Sequence, residues 1–378
     1  MTPPDATPAR GRTLLSTISS SGELRLELEE RDVPSPGGRE VLVAVEASPV
    51  NPSDLGVLLG AVAPDTLRAE EKALVGAVPA ATLALYRDRL DKPLPVGNEG
   101  AGTVIAAGPD AQALLGRRVA LFGGSMWADY RLADAGAVVE LPDDVSAAEG
   151  AALFINPLTA LSMVETMRSE GHSALVHTAA ASNLGQMLVR ICAADGVGLV
   201  NIVRRAEQGQ ILHDLGAGHV VDSSQPDFSD RLTEALRDTG ATLAFDAVGG
   251  GTLAGEILDA MERAQPPLAS YTPYGSTTHK QVYIYGSLDF SPTVINRTFG
   301  LSWGVGGYLL TSALGRLGGE TVGRMRARVL AEAKTTFASG YARTIGLGEV
   351  LQPEVLGVFA RRATGAKYLI DPSSDRPA

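Results

Sequence analysis

Short apolar segments alternate with helical segments from about Pro157 onward, and this alternation restricts the fold more than any other feature of the chain. The helix after the first such segment carries Leu184, Leu188 and Ile191 on one face. Strands and helices that alternate at this spacing form a parallel sheet with helices on both faces. The sequence therefore predicts an α/β, doubly wound domain. The predicted strands are Ala174–His177, Leu199–Val203, His219–Val221, Leu243–Phe245 and Gln281–Tyr285.

The first third of the chain has a different pattern, which is typical of β structure. Apolar and polar residues alternate in Glu23–Leu28 and Val41–Val45, between clusters of Pro and Gly. Residues 61–92 are rich in Ala, Leu, Arg and Glu at helical spacing, which predicts a helical insertion in a β-rich domain. The C-terminal part predicts a helix over residues 316–339 and a closing strand at Lys367–Ile370. A chain of 378 residues is long enough for two domains.

A loop of small residues joins the first strand of the predicted parallel sheet to its helix. Ala180, Ser182 and Gly185 hold the three glycine positions of the G-x-G-x-x-G pattern, and Asn183 is a good residue for a helix start. Small side chains there let a pyrophosphate approach backbone N–H groups at the positive end of a helix. A plain strand–helix turn would look similar, but the repeated strand–helix units favour a dinucleotide site.

The end of the second predicted strand distinguishes the two nicotinamide cofactors. A residue that reads the ribose 2′-hydroxyl of NAD(H) would be Asp or Glu, about 20 residues beyond the loop. Arg204 and Arg205 stand there in this chain, and guanidinium groups match a 2′-phosphate in charge and geometry. The sequence therefore favours NADP(H), with a pair of solvated surface arginines as the alternative interpretation.

Charge and composition exclude several other functions. The formal net charge is −11, which argues against nucleic-acid and anionic-membrane partners. A single cysteine, Cys192, excludes a disulfide framework and a Cys-rich zinc site. The longest uncharged stretch, residues 298–315, contains five glycines and is too weakly apolar for a membrane span. The first twelve residues lack the apolar core of a signal peptide, so we expect a cytoplasmic protein.

Six motifs occur in the order seen in medium-chain dehydrogenases/reductases, and the chain resembles that superfamily. The motifs are Val50-Asn-Pro-Ser-Asp54, Pro95-Val-Gly-Asn-Glu-Gly-Ala-Gly102, Asn156-Pro-Leu-Thr-Ala160, Ala181-Ser-Asn-Leu-Gly185, Leu215-Gly-Ala-Gly-His-Val-Val-Asp222 and Phe245-Asp-Ala-Val-Gly-Gly250. Within the superfamily the chain is similar to zinc-independent quinone oxidoreductases. Its Gly-Asn-Glu-Gly, Asn-Pro-Leu-Thr-Ala and Asn-Ile-Val-Arg segments resemble those of the enoyl-thioester reductases in that branch.

The resemblance implies a GroES-like catalytic domain interrupted by a Rossmann domain, with the active site in the cleft between them. The implied boundaries are residues 1–155 for the GroES-like domain, 156–310 for the Rossmann domain and 311–378 for the return to the first domain. Asn51, Asn98 and Trp303 would line the substrate cleft, with Asn51 also catalytic. The implied cofactor-binding residues are Thr159, Ala180, Ser182, Asn183, Leu184, Gly185, Arg204, Arg205, Val248, Gly249, Tyr285 and Gly286.

The residues also bear on the use of metal. Zinc-dependent members of the superfamily carry a Cys and a His where this chain has Asn51 and Asn98, and amides are poor zinc ligands. The five histidines show no metal-binding spacing. We therefore expect neither zinc nor flavin. A metal-free site suits conjugate reduction, in which the developing oxygen anion needs only hydrogen-bond donors and a proton.

The predicted proton donor departs from the resemblance. Enoyl-thioester reductases carry a Tyr eight residues after the motif Asp, and Val62 stands at that place here. Tyr86, inside the 61–92 insertion, is the candidate replacement, whereas quinol oxygens take protons from solvent. Asp54 and Glu99 are predicted to be structural. For Trp303, interface core is the alternative to a wall of the substrate cleft.

These observations lead to three hypotheses. The leading one is a zinc-independent, NADPH-dependent oxidoreductase that transfers hydride to a small quinone or activated α,β-unsaturated carbonyl compound, and that forms a homodimer. The alternative enzyme is a trans-2-enoyl-thioester reductase acting on a CoA or carrier thioester. The alternative of another class is a non-catalytic NADPH-binding protein.

Overall fold

The computed structural model describes residues 8–267, 270, 272–361, 363–365 and 367–376. The chain divides into two units. Unit 1 comprises residues 1–155 and 333–378, and unit 2 comprises residues 156–332. The return to the first unit therefore lies at residue 333, and the boundary expected after residue 310 is corrected.

The N-terminal part of unit 1 consists mainly of antiparallel strands. Its strands are β1 (Arg10–Ile18), β2 (Glu23–Asp32), β3 (Glu40–Pro49), β4 (Arg68–Glu70), β5 (Ala73–Ala77), β6 (Leu94–Pro95), β7 (Glu99–Ala107), β8 (Arg118–Phe122), β9 (Tyr130–Asp134) and β10 (Val138–Glu140). Its short helices are α1 (Asp54–Leu58), α2 (Ala80–Leu83) and α3 (Ala147–Gly150). One sheet has the order β4-β5-β2-β1-β6, and a second begins β10-β8-β7-β3 with β9 also paired to β3.

The helical insertion predicted for residues 61–92 is wrong over part of its length. β4 and β5 form a hairpin, and β5 pairs with β2 so that Leu74 lies opposite Leu26. Residues 73–76 of β5 are all buried, and a short, continuously apolar run does not distinguish a buried strand from a helix. Helical structure is limited to α2 and to 3₁₀ turns, one of which, Ala84–Arg89, carries Tyr86.

Unit 2 is built on the predicted parallel sheet. Its helices are α4 (Ile155–Ser169), α5 (Asn183–Asp195), α6 (Ala206–Asp214), α7 (Phe228–Thr239), α8 (Leu253–Arg263) and α9 (Leu310–Ala331). Its strands are β11 (Ala174–His177), β12 (Gly198–Val203), β13 (His219–Asp222), β14 (Leu243–Asp246), β15 (Gly249–Gly251), β16 (Lys280–Ile284), β17 (Asp289–Thr293) and β18 (Trp303–Gly307). The main sheet has the order β13-β12-β11-β14-β16-β18, all parallel, which is the strand order of doubly wound dinucleotide-binding domains.

The C-terminal part differs from the prediction at one helix. The helix expected over residues 316–339 begins earlier and ends earlier, as α9, and Gly318 interrupts it with φ +81°. The chain then adds β19 (Arg343–Ile345), α10 (Pro353–Arg361) and β20 (Tyr368–Ile370) to unit 1. β20 pairs antiparallel with β3, with Leu369 opposite Pro49. The predicted closing strand is therefore present.

One helical stretch, Ala147–Ser169, is long and apolar enough by composition to cross a membrane, with mean hydropathy 1.3. Its most apolar window is 78% buried inside the structure, as is usual for a core helix. The uncharged stretch noted in the sequence, residues 298–315, instead contains β18 and the beginning of α9.

Candidate cofactor and catalytic sites

The loop between β11 and α5 has the tight geometry of a phosphate-binding turn. Ser182 caps α5, because its Oγ accepts the Gly185 N–H at 3.2 Å. Gly185 has no room for a side chain, since a Cβ atom would lie 2.0 Å from the Ala180 carbonyl oxygen. Ala179 adopts φ +49°, which few non-glycine residues do. The first turn of α5 is therefore in close contact with the loop that precedes it.

Asn183 and Leu184 form the first turn of α5. The first N–H groups of a helix have no partner within the helix, and the helix dipole gives them a positive potential. An anion that approaches the loop would meet these groups and only small side chains. The predicted residues Ala180, Ser182, Asn183, Leu184 and Gly185 thus lie together at one helix start.

Two further loops follow the carboxyl ends of β14 and β16. The carboxylate of Asp246 accepts hydrogen bonds from Thr178 Oγ1 at 2.7 Å and from the N–H groups of Val248 and Gly249 at 2.9 and 3.0 Å. A Cβ atom on Gly249 would lie 2.7 Å from the Gly286 carbonyl oxygen, so the two loops touch through their backbones. Asp246 and Thr178 were not predicted as site residues, and they hold the predicted ones in place.

Tyr285 is anchored by a buried histidine that the sequence analysis did not assign to a site. The Tyr285 hydroxyl and His177 Nε2 share a 2.8 Å hydrogen bond, and the two rings stack with centroids 5.8 Å apart. Burial lowers the pKa of His177 to about 3, so its imidazole is neutral at physiological pH. Burial also raises the pKa of Tyr285. The pair is therefore an uncharged support for the loop that follows β16.

A cavity of about 560 Å³ opens beside this loop. It is lined by residues at the carboxyl ends of β16 and β18 and at the start of α9: Ile284, Tyr285, Gly286, Ser287, Gly307, Tyr308, Leu309, Ser312 and Arg316. Ligands of open α/β sheets bind outside the carboxyl ends of the strands. The predicted residue Thr159 is buried near the start of α4, and its carbonyl accepts the hydroxyl of Ser162, which in turn accepts the hydroxyl of Tyr308 from the cavity lining.

Arg204 and Arg205 lie where the sequence predicted them, directly after β12. Both side chains are exposed, and the Arg204 N–H donates to Gln208 Oε1 at 3.1 Å. The tight α5 start and these two exposed guanidinium groups form a donor set that fits the pyrophosphate and 2′-phosphate of NADP(H).

Trp303 is the first residue of β18, whereas the loops described above follow the other ends of the strands. Gly307, at the other end of the strand, is four positions from Trp303, a distance of about 13 Å. Its ring packs edge-on against Phe299, with centroids 5.2 Å apart, in the core of unit 2. Trp303 thus packs, partly buried, against the core of unit 2, and its place in the substrate cleft stays a prediction.

Unit 1 contains a buried polar cluster, which we define as Asn51, Asp54, Asn98, Glu99 and Lys367. The Asn51 side chain donates from Nδ2 to Glu99 Oε1 at 2.8 Å, and its N–H donates to Asp54 Oδ2 at 2.7 Å. The Asn98 N–H donates to Asp54 Oδ1 at 2.9 Å. Both predicted asparagines therefore belong to one hydrogen-bonded network.

Glu99 receives further donors from the backbone. Its Oε2 atom accepts the N–H groups of Phe154 and Ile155 at 3.0 and 2.8 Å. With Asn51, three N–H donors thus point at this carboxylate, an arrangement that favours its ionised form. Burial opposes ionisation and raises the pKa of Glu99 and, to about 7, that of Asp54.

These contacts also bear on whether the cluster could bind a metal ion. Asn51 and Asn98 are amides whose side-chain nitrogens donate to Glu99 and, at 3.0 Å, to Ser53 Oγ. In the part of the chain that the structure describes, His, Cys, Asp and Glu form no group of three or more that could hold a metal ion. The donor set therefore fits hydrogen bonding and does not fit a zinc ion.

Tyr86 packs on the apolar core of unit 1 and is half-buried. A Cβ atom on Gly60 would lie 3.3 Å from its hydroxyl oxygen, and Val62 nearby is fully packed in the same core. The guanidinium of Arg89 stacks on the ring, 5.8 Å from its centroid. The catalytic role of Tyr86 stays a prediction.

Two family profiles match the chain. The profile of the alcohol dehydrogenase GroES-like domain matches residues 37–143, and that of zinc-binding dehydrogenases matches residues 184–264. They fall in unit 1 and unit 2, respectively. The predicted combination of a GroES-like domain and a Rossmann domain is therefore confirmed.

Curated relatives include mitochondrial enoyl-[acyl-carrier-protein] reductases. The Xenopus tropicalis enzyme is 26% identical over 71% of this chain and 68% of its own length. The Bos taurus enzyme is 28% identical over 65% of this chain and 61% of its own length. The chain thus aligns with about two thirds or less of these enzymes.

Solved structures with the same fold include proteins named for quinone reduction. A "putative NADPH:quinone reductase" from Mesorhizobium loti is 28% identical, with a TM-score of 0.73 over 97% of this chain and 100% of that chain. The Escherichia coli quinone oxidoreductase, crystallised with NADPH, is 19% identical with a TM-score of 0.68. At that identity, the second structure supports the fold alone.

Proposed function

Because the chain belongs to the medium-chain dehydrogenase/reductase superfamily, we propose that it is a zinc-independent, NADPH-dependent reductase of quinones or activated α,β-unsaturated carbonyl compounds. The observation that carries the cofactor part is the pair of exposed arginines after β12, next to a tight phosphate-binding turn. The quinone-reductase name of the similar Mesorhizobium loti structure supports the substrate class.

NADPH, when bound, supplies the hydride. The chain would bind its pyrophosphate at the start of α5, where Gly185 allows close approach, and its 2′-phosphate at Arg204 and Arg205. The loops held by Asp246 and by the His177–Tyr285 pair would position the nicotinamide end. Asn51 would orient the substrate from a fixed amide, because Glu99 holds its Nδ2.

The donor set in the buried polar cluster supports the zinc-independent part of the proposal. Oxidation of an alcohol needs a Lewis acid to stabilise the alkoxide, whereas hydride addition to a quinone or enone needs hydrogen-bond donors and a proton. Asn51 and Asn98 provide amides in place of metal ligands. We therefore propose that turnover does not depend on a metal.

The test is oxidation of NADPH, followed by its absorbance, with a benzoquinone, a small enone and crotonyl-CoA as acceptors. The assay contains EDTA, and NADH is run in parallel. We expect turnover of a quinone or the enone that survives EDTA and prefers NADPH. Loss of activity in EDTA, restored by zinc, would contradict the proposal. Tight NADPH binding with no turnover of any acceptor would favour the non-catalytic alternative.

The second candidate is a trans-2-enoyl-thioester reductase, which the enoyl-[acyl-carrier-protein] reductase relatives favour. Turnover of crotonyl-CoA alone would support it. The Tyr86 hydroxyl lies beside Gly60, two residues before the position where such enzymes carry their Tyr. Under this alternative, Tyr86→Phe would lower kcat by about 10²-fold or more, as expected for the loss of a general acid.

We also propose a homodimer formed along β18. This strand lies at the end of the parallel sheet, and its outer edge has no strand partner among the described residues. Leu301 and Leu309, on either side of it, are 67% and 64% exposed. A second copy that covers these leucines and extends the sheet would remove an exposed edge.

A further inference from the structure

Lys367 in unit 1 has an unusual environment for a lysine. Its side chain is half-buried as a whole, but the Nζ atom is inaccessible to solvent and has no hydrogen-bond partner in the described structure. Buried polar atoms of side chains nearly always have a hydrogen-bond partner, and buried charges are usually paired. Packing alone would be served better by an apolar residue, so the charge itself needs an explanation.

The position of Lys367 is set by strand pairing. Leu369 and Ile370 of β20 lie opposite Pro49 and Ser48 of β3, and the Val50 N–H donates to the Tyr368 carbonyl at 3.0 Å. One step further along the same register, Lys367 comes beside Asn51. Residues that are more than 300 positions apart in the sequence are therefore brought together by one pair of strands.

The charges around Lys367 are two buried carboxylates. Burial raises the pKa of both Glu99 and Asp54, and the positive charge of Lys367 opposes that rise at each carboxyl group. Burial lowers the pKa of Lys367 itself, and the two carboxylates raise it. The Nζ atom of Lys367 also lies over the ring of Tyr341, 5.7 Å from the centroid. The ionisable groups that face Glu99 are thus Asp54, Tyr341 and Lys367.

The state of Glu99 controls the orientation of Asn51. An ionised carboxylate only accepts hydrogen bonds, so the Asn51 amide must turn its Nδ2 toward Glu99. A protonated Glu99 could donate instead, and the amide could then turn its oxygen toward Glu99. The charge on Glu99 thus decides whether the oxygen or the nitrogen of the Asn51 amide points away from Glu99.

We propose that Lys367 is a positioning residue, whose buried charge favours the ionised form of Glu99 and thereby orients the Asn51 amide for reaction. The part of this inference that concerns catalysis rests on the proposed function. The coupling between Lys367 and Glu99 is a property of unit 1 and can be measured without turnover.

The catalytic test compares Lys367→Met, which removes the charge, with Lys367→Arg, which retains it. We expect the acid limb of kcat/KM in the methionine variant to move up by about one pH unit or more, since a neighbouring charge shifts a carboxyl pKa by about 1–3 units. Activity near pH 6 would then fall by about tenfold and recover at pH 9. The arginine variant should keep the wild-type profile. An unchanged profile in Lys367→Met, or equal losses in both variants, would overturn the proposal.

The second test uses thermal unfolding and needs no substrate. In Lys367→Met, Glu99 loses its compensating charge, so we expect the decrease in Tm relative to wild type to be larger at pH 8 than at pH 5.5. In a Glu99→Gln background that pH dependence should become much smaller. An equal pH dependence in both backgrounds would show that Lys367 and Glu99 are not coupled. If wild type turned over no acceptor, the proposed function would fail while this measurement still decided the coupling.

Discussion

At the scale of single residues, the proposal assigns the preference for NADPH over NADH to Arg204 and Arg205. The preceding residues Ile202 and Val203 are buried in β12, so the two guanidinium groups stand at the point where the strand reaches solvent. Replacing either arginine with Ala should raise the Kd of NADPH about tenfold or more, because a charge-assisted hydrogen bond is worth about 1.5–3 kcal/mol. The Kd of NADH should change little, and both constants can be measured by titration of cofactor fluorescence.

The matched control for this pair is Arg231→Ala, which removes an exposed arginine from α7 of the same unit. It should change neither Kd, because its partner is Asp227 one helical turn away. Equal weakening of NADPH and NADH in the Arg204 and Arg205 variants would show that these residues do not contact the 2′-phosphate.

At the scale of an element, α5 depends on one glycine at its first turn. A methyl group on Gly185 would overlap the Ala180 carbonyl oxygen at 2.0 Å, and backbone cannot move aside as a flexible side chain can. We expect Gly185→Ala to lower the free energy of unfolding of unit 2 by about 1–3 kcal/mol, the usual cost of overpacking, and to weaken NADPH binding. Denaturant unfolding and cofactor titration would measure the two effects.

Gly209 in the neighbouring helix α6 provides the control for Gly185→Ala. Its added Cβ atom would meet Val220 at 3.7 Å and Val203 at 4.0 Å, both ordinary contacts, so Gly209→Ala should be neutral or stabilising by up to about 1 kcal/mol. If the two alanine variants behaved alike, the close approach at Gly185 would not control the helix start.

The sequence predicts elements well where periodicity and turn chemistry agree. The strand–helix alternation predicts the parallel sheet, and the small-residue loop is found at the start of α5. The hairpin β4–β5 is missed because the apolar run at residues 73–76 is buried throughout and has no strand alternation. The place of Lys367 could not be predicted, because it results from pairing between β20 and β3.

At the scale of the whole molecule, the exposed edge of β18 predicts the oligomeric state. Light scattering should give about twice the chain mass of 39.2 kDa. Leu309→Glu should shift the species toward monomer, since a charge desolvated in an apolar contact is costly. The control is Leu85→Glu, which alters a leucine that is 78% exposed in unit 1. A monomeric wild type, or a dimer insensitive to Leu309→Glu, would exclude this edge as the interface.

The pH dependence of stability should differ between the two units. Burial raises the pKa of Asp54 in unit 1 to about 7, well above the value of 3.8 for an exposed Asp. Its contribution to stability is therefore fully present below pH 3.8 and is lost as the pH rises through about 7. His177 in unit 2 has the opposite sign, because its lowered pKa makes stability fall as the pH drops below 6.5. Raising the pH should therefore destabilise unit 1, whereas lowering the pH should destabilise unit 2.

The two tryptophans allow this prediction to be tested, because the fully buried Trp127 lies in unit 1 and Trp303 lies in unit 2. In a Trp303→Phe background, Trp127 fluorescence would report denaturant unfolding of unit 1. We expect its free energy of unfolding to fall by about 2 kcal/mol between pH 5 and pH 7.5, at up to about 1.4 kcal/mol per pH unit. Asp54→Asn should reduce that slope and leave the part due to Glu99, whose pKa burial also raises, whatever constant cost the amide adds beside two N–H donors. Parallel pH curves for the two proteins would contradict the raised pKa of Asp54.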